Sequence, residues 1–232
     1  MDNLGDRIKR YENVYRQYAI RRMPLIIRVD GKAFHTFTRG CRKPFDNEIM
    51  SAMDNAAILT AADMQGFKVG YVQSDEVTFL LTDYDTLETD AWFAYNIQKI
   101  ASISAATMSV RFNSTYNSTY NGHTPAIFDA RVFNVPIDDV VNTFLWRAKD
   151  WERNSVQMYA RAFFSHKELH GKGRADIHEM LHNIGKNWTT DLSGREKNGL
   201  FFTLSKDGVN SYTDIKPEYE AIKKIINPLI ML

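Results

Sequence analysis

The chain has 232 residues, of which 44% are hydrophobic and 25% charged, and its net charge is +1; this balance is typical of a soluble globular protein and excludes a bulk polycation and a fibrous or disordered chain. A single cysteine, Cys41, excludes a disulfide scaffold and a cysteine-rich zinc module. Because the first residues lack an apolar segment and no apolar run approaches about 18 residues, we expect a cytoplasmic protein without a signal peptide or a membrane-spanning helix.

The first part of the chain predicts two helices on either side of a buried strand. Residues 2–22 place apolar side chains three or four positions apart, which is typical of a helix, and Pro24 ends it. Residues 25–29 form a short apolar run, partly β-branched, that predicts a strand ending in the Asp30-Gly31 turn. Residues 46–64 favour a second helix, with an aspartate at its N-cap.

The middle of the chain predicts a hairpin, a helix, a loop and a further strand. Residues 69–81 contain two apolar strands joined by the tight polar turn Gln73-Ser74-Asp75-Glu76. Residues 91–112 predict a helix with small side chains for close packing. Residues 113–125 predict a loop, in which the sequence Asn-Ser-Thr-Tyr occurs twice, and residues 128–135 predict a strand.

The last part of the chain predicts mostly helix. Residues 137–168 favour one long helix, residues 174–184 a short one, and residues 201–212 a hairpin. No change of composition marks a linker. We therefore expect one α+β unit in which residues 137–232, as a helical and hairpin C-terminal region, pack on a core formed by residues 1–136.

A first candidate site follows the strand predicted for residues 25–29. The strand delivers Asp30 to its end, and Gly31 frees the backbone to turn and to present amides and a carbonyl. Such a turn can bind a divalent cation through oxygen atoms and a phosphate through N–H groups. A plain turn after a buried strand would have the same sequence, so both interpretations stay open at this point.

A second candidate site is the turn that contains Asp75 and Glu76. Adjacent acids at a hairpin tip repel each other unless they are solvated or metal-bound, and a solvated turn is the simple alternative. If the hairpin lies beside the first strand, however, the carboxylates of both turns can hold two Mg²⁺ ions about 3.5–4 Å apart, the geometry of phosphoryl-transfer enzymes. Oxygen ligands without cysteine or clustered histidine suit Mg²⁺.

The charge distribution is compatible with a polyanionic ligand. Residues 1–50 hold 11 Lys and Arg against 6 Asp and Glu, and residues 51–100 hold 2 against 8, although ordinary surface variation explains this pattern as well. The basic residues able to contact a triphosphate or a nucleic-acid backbone are Lys32, Arg39, Arg42, Lys43, Lys99, Arg131, Arg147 and Arg153. Lys99 stands out because it lies in a predicted helix rich in Ala, Ser and Ile, where a lysine needs a reason such as a phosphate contact.

One motif points to a different chemistry. His178-Glu179-Met180-Leu181-His182 matches the H-E-x-x-H pattern of zinc hydrolases. No histidine follows His182, and Trp188 stands at the position of the usual third ligand. We therefore favour an ordinary amphipathic helix here and keep a zinc hydrolase as an alternative.

Several motifs occur in the order in which a known family carries them. They are Asp2-Asn3-Leu4-Gly5-Asp6-Arg7, Arg28-Val29-Asp30-Gly31-Lys32-Ala33-Phe34-His35, Lys43-Pro44, Gln73-Ser74-Asp75-Glu76, Phe128-Asp129-Ala130-Arg131, Trp146-Arg147 and Arg153-Asn154-Ser155. On these motifs the chain resembles the histidine-tRNA guanylyltransferase family, and in particular its bacterial, archaeal and phage-type branch. The resemblance spans nearly the whole chain and is loosest in the C-terminal third.

The resemblance implies a polymerase-palm-like antiparallel sheet with helices packed on it, a catalytic core over residues 1–136 and a helical C-terminal extension. It implies a nucleotidyltransferase that adds nucleotides to the 5′ end of tRNA in the 3′-to-5′ direction, templated by Watson–Crick pairing, after activation with ATP or GTP. Two Mg²⁺ ions would neutralise the transferring phosphoryl group. Family members tend to form tetramers, so we expect a homo-oligomer that binds tRNA or a tRNA-like RNA and nucleoside triphosphates.

The resemblance also implies roles for individual residues. Asp30, Asp75 and Glu76 would be catalytic; Asp30, Asp75 and the Gly31 carbonyl would bind the Mg²⁺ ions, and Glu76 would support them. The expected nucleotide-binding residues are Asp30, Gly31, Lys32, Ala33, Phe34, His35, Lys43, Ser74, Asp75 and Lys99. The expected RNA-binding residues are Arg28, Arg131, Arg153 and Asn154.

One stretch departs from the family pattern. Where the eukaryotic branch carries a His-Ile-Asn-Asn stretch linked to recognition of the histidine anticodon, this chain has Glu152-Arg153-Asn154-Ser155 and retains only Asn154. We therefore expect template-directed repair of 5′-truncated tRNA. A G-1 addition specific for histidine tRNA and a catalytically idle RNA-binding module are the alternatives.

Overall fold

A computed structural model describes residues 3–116 and 124–230; the second copy of the Asn-Ser-Thr-Tyr duplication, at 117–120, lies outside the described residues. The strands are β1 (Leu25–Gly31), β2 (Phe67–Gln73), β3 (Glu76–Leu81), β4 (Phe128–Asn134), β5 (Leu200–Ser205) and β6 (Gly208–Tyr212). The helices are α1 (Leu4–Val14), α2 (Phe34–Phe37), α3 (Asn47–Ala62), α4 (Ile97–Tyr116), α5 (Val140–Ala160), α6 (His166–Leu169), α7 (Arg174–Asn183), α8 (Trp188–Asp191), α9 (Gly194–Asn198) and α10 (Tyr219–Ile230). None of the helices in this described part combines the length and the apolar character that crossing a membrane requires.

The strands form one antiparallel sheet in the order β4-β1-β3-β2-β5-β6. The predicted α+β class, with an antiparallel sheet and helices packed on it, is confirmed. The C-terminal part of the chain contributes β5 and β6, which extend the sheet beyond β2. The first strand lies between β4 and β3, so its end is flanked by a strand on both sides.

Side chains of β1 point alternately into two hydrophobic cores. Ile27 and Val29 pack with buried residues of α3 and α4, whereas Ile26 packs with buried residues of α5 and α10. A strand buried on both faces carries an unbroken apolar run, and this is why residues 25–29 predict it correctly. A third cluster, around Trp151 and Trp188, connects α5 with α7 and α8.

The predicted helix over residues 2–22 ends early, at Val14. Beyond it, the backbone of residues 17–19 pairs with residues 95–97; Ala19 N, for example, donates a hydrogen bond to Tyr95 O at 2.9 Å. This pairing needs non-helical backbone. The predicted length is wrong because helix propensity gives way to a tertiary contact that local sequence does not show.

The same pairing displaces the start of the helix predicted for residues 91–112. Residues 93–95 have left-handed φ angles between 49° and 59°, so α4 begins only after them. At its other end α4 continues to Tyr116, and the first residues of the predicted 113–125 loop are therefore helical. The Asn113 amide stabilises this end, since its Nδ2 donates to Ser109 O at 2.6 Å and to Ala126 O at 2.7 Å.

The single helix predicted for residues 137–168 is also wrong, because a 3₁₀ turn at Ile137–Asp139 precedes α5 and α6 is separate. Ser165 starts α6 with a capping box, in which its N–H donates to Glu168 Oε2 at 2.8 Å. The short helix predicted for residues 174–184 and the hairpin predicted for residues 201–212 are present as α7 and β5–β6.

Candidate active site

Three acidic residues lie side by side where β1, β3 and β4 meet. The antiparallel register places Asp30 opposite Glu76 on one side and opposite Asp129 on the other. Residues paired in this way point to the same face of a sheet. Asp75 lies in the turn that leads into β3, and Gly31 N donates to Asp75 O at 3.0 Å. The Asp30-Gly31 and Asp75-Glu76 motifs are thus brought together at one end of the sheet, which we call the acidic edge.

The acidic edge depends on a close approach that Gly31 permits. A Cβ atom at this position would lie 3.0 Å from both Cβ and Oδ2 of Asp75 and 2.4 Å from Cδ2 of Phe34. Two neighbouring residues, Ala33 and Ser74, have left-handed φ angles of 53° and 46°. Such angles are costly for residues with a side chain and are often found at functional sites.

Burial and mutual repulsion raise the pKa values of the two central carboxyl groups. Burial raises the pKa of Asp75 to about 6, and the nearby charge of Asp30 acts in the same direction. Burial also raises the pKa of Asp30, together with the charges of Glu76 and Asp129, whereas Arg131 lowers it. An additional positive charge at the acidic edge would therefore stabilise the ionised form of both carboxyl groups.

The cationic side chains of the protein compensate the negative charge of the acidic edge only weakly. Arg131 Nη1 lies 4.0 Å from Asp30 Oδ2, and Arg131 Nη2 lies 3.7 Å from Asp129 Oδ1, distances beyond a hydrogen bond. Within residues 3–116 and 124–230, no three His, Cys, Asp or Glu side chains form a metal-binding cluster. The carboxylates of Asp30 and Asp75 and the backbone oxygen of Gly31 are a donor set with open positions, of the kind that binds Mg²⁺ jointly with substrate phosphates.

Glu76 is in a different situation from its two neighbours. Arg147 of α5 binds it with two hydrogen bonds, from Nε to Oε1 at 2.6 Å and from Nη2 to Oε2 at 2.9 Å. Gln73 Nε2 also donates to Glu76 Oε1, at 3.1 Å, and Arg28 Nε lies 3.8 Å from Oε2. The charge of Glu76 is therefore compensated within the protein.

A cavity of about 640 Å³ opens beside the acidic edge, a volume suited to a small-molecule ligand. Its walls come from the segment after β1, the turn before β3, the start of α3, α5 and α9. The basic residues among its lining are Arg39, Arg42, Lys43, Arg161 and Arg195. The chemistry of this lining suits an anionic ligand placed next to the carboxylates.

Most of the residues expected to bind a nucleotide lie at this cavity. Gly31, Ala33, Phe34, His35, Lys43, Ser74 and Asp75 line it. Asp30 lies on the adjacent acidic edge, and the exposed Lys32 donates its N–H to Ile127 O at 2.8 Å. Phe34 itself is buried, with its ring 5.4 Å from Phe112 and 5.6 Å from Phe128.

Lys99 is the exception among these expected residues. It lies in the first turn of α4, whereas the other end of that helix, at Phe112, packs against Phe34. Its ammonium group stands 4.5 Å from the centre of the Phe93 ring. The structure therefore does not bring Lys99 together with the cavity residues.

The four residues expected to contact RNA lie on three elements. Arg28 and Arg131 are opposite each other on β1 and β4. Arg153 and Asn154 are exposed on α5, and both donate hydrogen bonds to Asp150. They form two separate groups on the side of the sheet that α5 covers.

Three further arginines lie at this site, and the sequence pattern singles out neither Arg161 nor Arg195. Arg147 belongs to the set of basic residues expected to contact phosphate, and it binds Glu76 instead. Arg161 and Arg195 line the cavity, and Arg195 is held by Asp54 of α3, with Nη2 to Oδ1 at 2.7 Å. No local signal could have linked Arg195 to Asp54, because 141 positions separate them.

The H-E-x-x-H segment forms part of α7, as an amphipathic helix should. His178 is half-buried, its ring lies 5.9 Å from that of Trp188, and burial lowers its pKa. His182 is exposed. The described residues assemble no third ligand around this pair, so the geometry gives the zinc alternative no support.

Comparisons with known proteins agree on one family. The family model described as tRNAHis guanylyltransferase (Thg1) matches residues 5–136. A bacterial tRNA(His) guanylyltransferase (Thg1)-like protein solved in complex with ATP is 38% identical, with a TM-score of 0.93 over 99% of this chain and 100% of that one. A bacterial Thg1-like protein in complex with GTP is 34% identical, with a TM-score of 0.84 over 99% and 100% of the two chains.

A curated relative carries the same name as the family model. The tRNA(His) guanylyltransferase of Debaryomyces hansenii is 31% identical over 140 residues, which are 57% of this chain and 51% of the relative. This chain thus spans about half of the length of that curated relative.

Proposed function

The chain belongs to the tRNAHis guanylyltransferase family of nucleotidyltransferases, and from this premise we propose that it repairs the 5′ ends of truncated tRNA. The reaction is a metal-dependent, template-directed addition of nucleotides in the 3′-to-5′ direction. It follows activation of the 5′ end with ATP or GTP, the nucleotides bound by the two bacterial relatives.

The observation that carries this proposal is the acidic edge beside a basic cavity. Asp30, on β1, and Asp75, in the turn before β3, are under-compensated carboxylates, and the backbone carbonyl of Gly31 is a further oxygen donor beside them. These hard oxygen donors fit Mg²⁺, which when bound neutralises charge that develops on a transferring phosphoryl group. The three residues would hold the ions, and Glu76 would support the edge from its position on β3.

The cavity would hold the nucleoside triphosphate. Lys43, Arg39 and Arg42 can neutralise phosphate oxygens from one wall, and Ser74 can donate a hydrogen bond from the turn. Trp151 and Met158 give the opposite wall an apolar surface for the rest of the nucleotide. Lys99 would need to reach phosphate from outside this cavity.

Two phosphoryl transfers complete the proposed reaction. First, a 5′-monophosphate oxygen of the RNA attacks the α-phosphorus of ATP or GTP, and pyrophosphate leaves. The 3′-hydroxyl of the incoming nucleotide then attacks the activated 5′ phosphorus, and AMP or GMP leaves. Both steps place growing negative charge next to the same carboxylate pair, so one site serves both.

The surroundings of residues 152–155 support repair rather than strict recognition of histidine tRNA. Glu152 accepts a hydrogen bond from Arg174 at 2.8 Å, and buried Ser155 accepts one from Trp188 Nε1 at 3.1 Å. Glu152 is half-buried and Ser155 is buried, so these two of the four positions are less accessible to an RNA. Arg153 and Asn154 remain exposed, and with Arg28 and Arg131 they would contact the RNA backbone.

We further propose that the protein works as a homotetramer in the cytoplasm. The apolar side chains that α1 leaves exposed, including Leu4, Ile8 and Tyr11, support an additional protein contact. Light scattering of the purified protein tests this assembly, and a monomer at micromolar concentration would contradict it.

The function is tested by incubating the protein with 5′-monophosphorylated tRNA that lacks its first nucleotide, together with Mg²⁺, ATP and all four nucleoside triphosphates. A histidine tRNA and an unrelated tRNA are compared. Template-matched extension of both supports end repair. Addition of G to the histidine tRNA alone would favour the narrower guanylyltransferase, and binding without any addition would favour an idle RNA-binding module.

A further inference from the structure

The two acids of the Asp75-Glu76 pair are adjacent in sequence but differ in their surroundings. Both oxygens of Glu76 accept hydrogen bonds, from Arg147 Nε and Nη2 at 2.6 and 2.9 Å and from Gln73 at 3.1 Å. The Glu76 side chain is only 10% exposed, and that of Arg147 only 11%. A buried carboxylate with such partners is satisfied as an internal ion pair.

Arg147 is itself held in one orientation. Its Nη2 also donates to Asp150 Oδ2 at 3.3 Å, and its guanidinium stands 4.5 Å from the centre of the Trp146 ring. The guanidinium of Arg28 lies 5.5 Å from the same ring and borders Glu76 on its other side. The planar fork of Arg147 therefore faces Glu76 with little freedom to turn away.

We propose that Arg147 is a positioning residue that keeps Glu76 out of the metal-binding set. This inference rests on the proposed function, because it concerns the same metal-binding edge. With Arg147 in place, Asp30 and Asp75 are the carboxylates that face the cations, and Glu76 serves as the internal anion that ties β3 to α5. Without Arg147, Glu76 turns to the edge and competes for the ions.

The first test measures metal binding without nucleotide or RNA. Free Mn²⁺ is followed by electron paramagnetic resonance during titration of the protein at one fixed pH. We expect Arg147→Met to bind Mn²⁺ at least about threefold more tightly than the unchanged protein, because a cation is removed and a carboxylate is released. Asp75→Asn should weaken binding about tenfold, since it removes a ligand and its charge.

A paired variant removes both partners of the ion pair and protects the test against misfolding. Arg147→Met combined with Glu76→Gln removes one positive and one negative charge, and it leaves no buried ion without a partner. We expect its Mn²⁺ affinity to return to within about twofold of the unchanged protein, because the local charge balance is restored. If the paired variant binds as weakly as Asp75→Asn, Glu76 is a ligand and the proposal is overturned.

The second test asks what the released carboxylate does to turnover. In Arg147→Met we expect kcat for nucleotide addition to fall about tenfold or more, because ions shared with Glu76 are misplaced, while KM for ATP stays within about twofold since the cavity is intact. Arg147→Lys keeps the charge and should recover part of kcat. The paired variant should recover at least about fivefold over Arg147→Met, since no carboxylate is left to compete.

Arg174→Met is the matched control, because Arg174 also pairs with a glutamate of α5, Glu152, at 2.8 Å. It should change neither Mn²⁺ affinity nor kcat. An Arg147→Met protein that loses Mn²⁺ affinity along with kcat, in a folded state, would reveal a merely structural role and overturn the proposal. An unchanged protein that binds Mn²⁺ but adds no nucleotide would instead reject the proposed function, since the metal titrations use no RNA.

Discussion

A buried or half-buried aspartate lies beside each end of β3, and the protein compensates the two in opposite ways. Asp83 lies just beyond the last residue of β3 and is fully buried. It accepts hydrogen bonds from Arg21 Nε at 2.5 Å and from the Arg22 backbone N–H at 2.7 Å. Asp75 lies just before the first residue of β3, and burial together with the charge of Asp30 raises its pKa to about 6. No Lys or Arg of the described residues forms an ion pair with it.

This difference shows which of the two carboxylates can still attract a cationic ligand. A buried carboxylate with an arginine partner, as at Asp83, is satisfied within the fold and leaves little attraction for another cation. A carboxylate that repels its neighbours weakens the fold until a cation binds. The acidic edge is therefore suited to metal binding, and the Asp83 end is suited to fastening the N-terminal segment to the sheet.

The largest effect is expected from removing charge at the acidic edge. We expect Asp75→Asn and Asp30→Asn to lower nucleotide addition on the order of a thousandfold, because each loses an anionic metal ligand during phosphoryl transfer. Circular dichroism should show a folded protein in both cases. Rates near those of the unchanged protein would mean that the chemistry takes place elsewhere.

The matching change at the other end of β3 should act on stability. Asp83→Ala removes the buried acceptor of the Arg22 N–H, a hydrogen bond to a charged group that contributes about 1.5–3 kcal/mol to the free energy of unfolding, whereas the half-exposed Arg21 guanidinium regains water. Urea unfolding measures this loss. Mn²⁺ affinity should not change, and a loss of affinity would show that the two ends are not independent.

The environment of Asp75 should also show in how stability depends on pH. Because the pKa of Asp75 rises from 3.8 to about 6 on folding, the folded state holds this proton more tightly than the unfolded chain. Stability from this group is present below pH 3.8 and is lost as pH rises through about 6. Unfolding midpoints of the unchanged protein should therefore fall relative to Asp75→Asn over this range. Parallel curves would contradict the assigned environment, and added Mg²⁺ should reverse the loss.

The sequence was informative where function depends on neighbouring residues. The Asp30-Gly31 turn and the Asp75-Glu76 turn each follow or precede an apolar strand, so local pattern is enough to locate them. Glu76 and Arg147 lie 71 positions apart, and their pairing depends on how α5 crosses the sheet. Local pattern also could not show that residues 17–19 bind residues 95–97, which shortened one predicted helix and displaced another.

Lys99 shows the same limit in reverse. A lysine among small and apolar residues of a predicted helix is a reasonable candidate for phosphate contact, but a helical pattern does not fix which end of the helix meets the site. The left-handed residues 93–95 delay the start of α4, and Lys99 lies in its first turn, beside Phe93. The fold, rather than the residue type, decides its neighbourhood.

The mildest test uses residues that touch neither end of β3. Arg153 is exposed on α5 and shares Asp150 with Arg147, so it belongs to the same chain of charges but not to the acidic edge. We expect Arg153→Ala to weaken tRNA binding about threefold and to lower the slope of log affinity against log salt by about one, as for one lost phosphate contact. Binding measured across a salt series checks both values.

Because Asp150 then has Arg147 as its one remaining arginine partner among the described residues, kcat at saturating RNA should stay unchanged. A fall in kcat would mean that Arg153 acts through Asp150 on the orientation of Arg147, and that the RNA-facing side of α5 and the metal-binding edge are coupled.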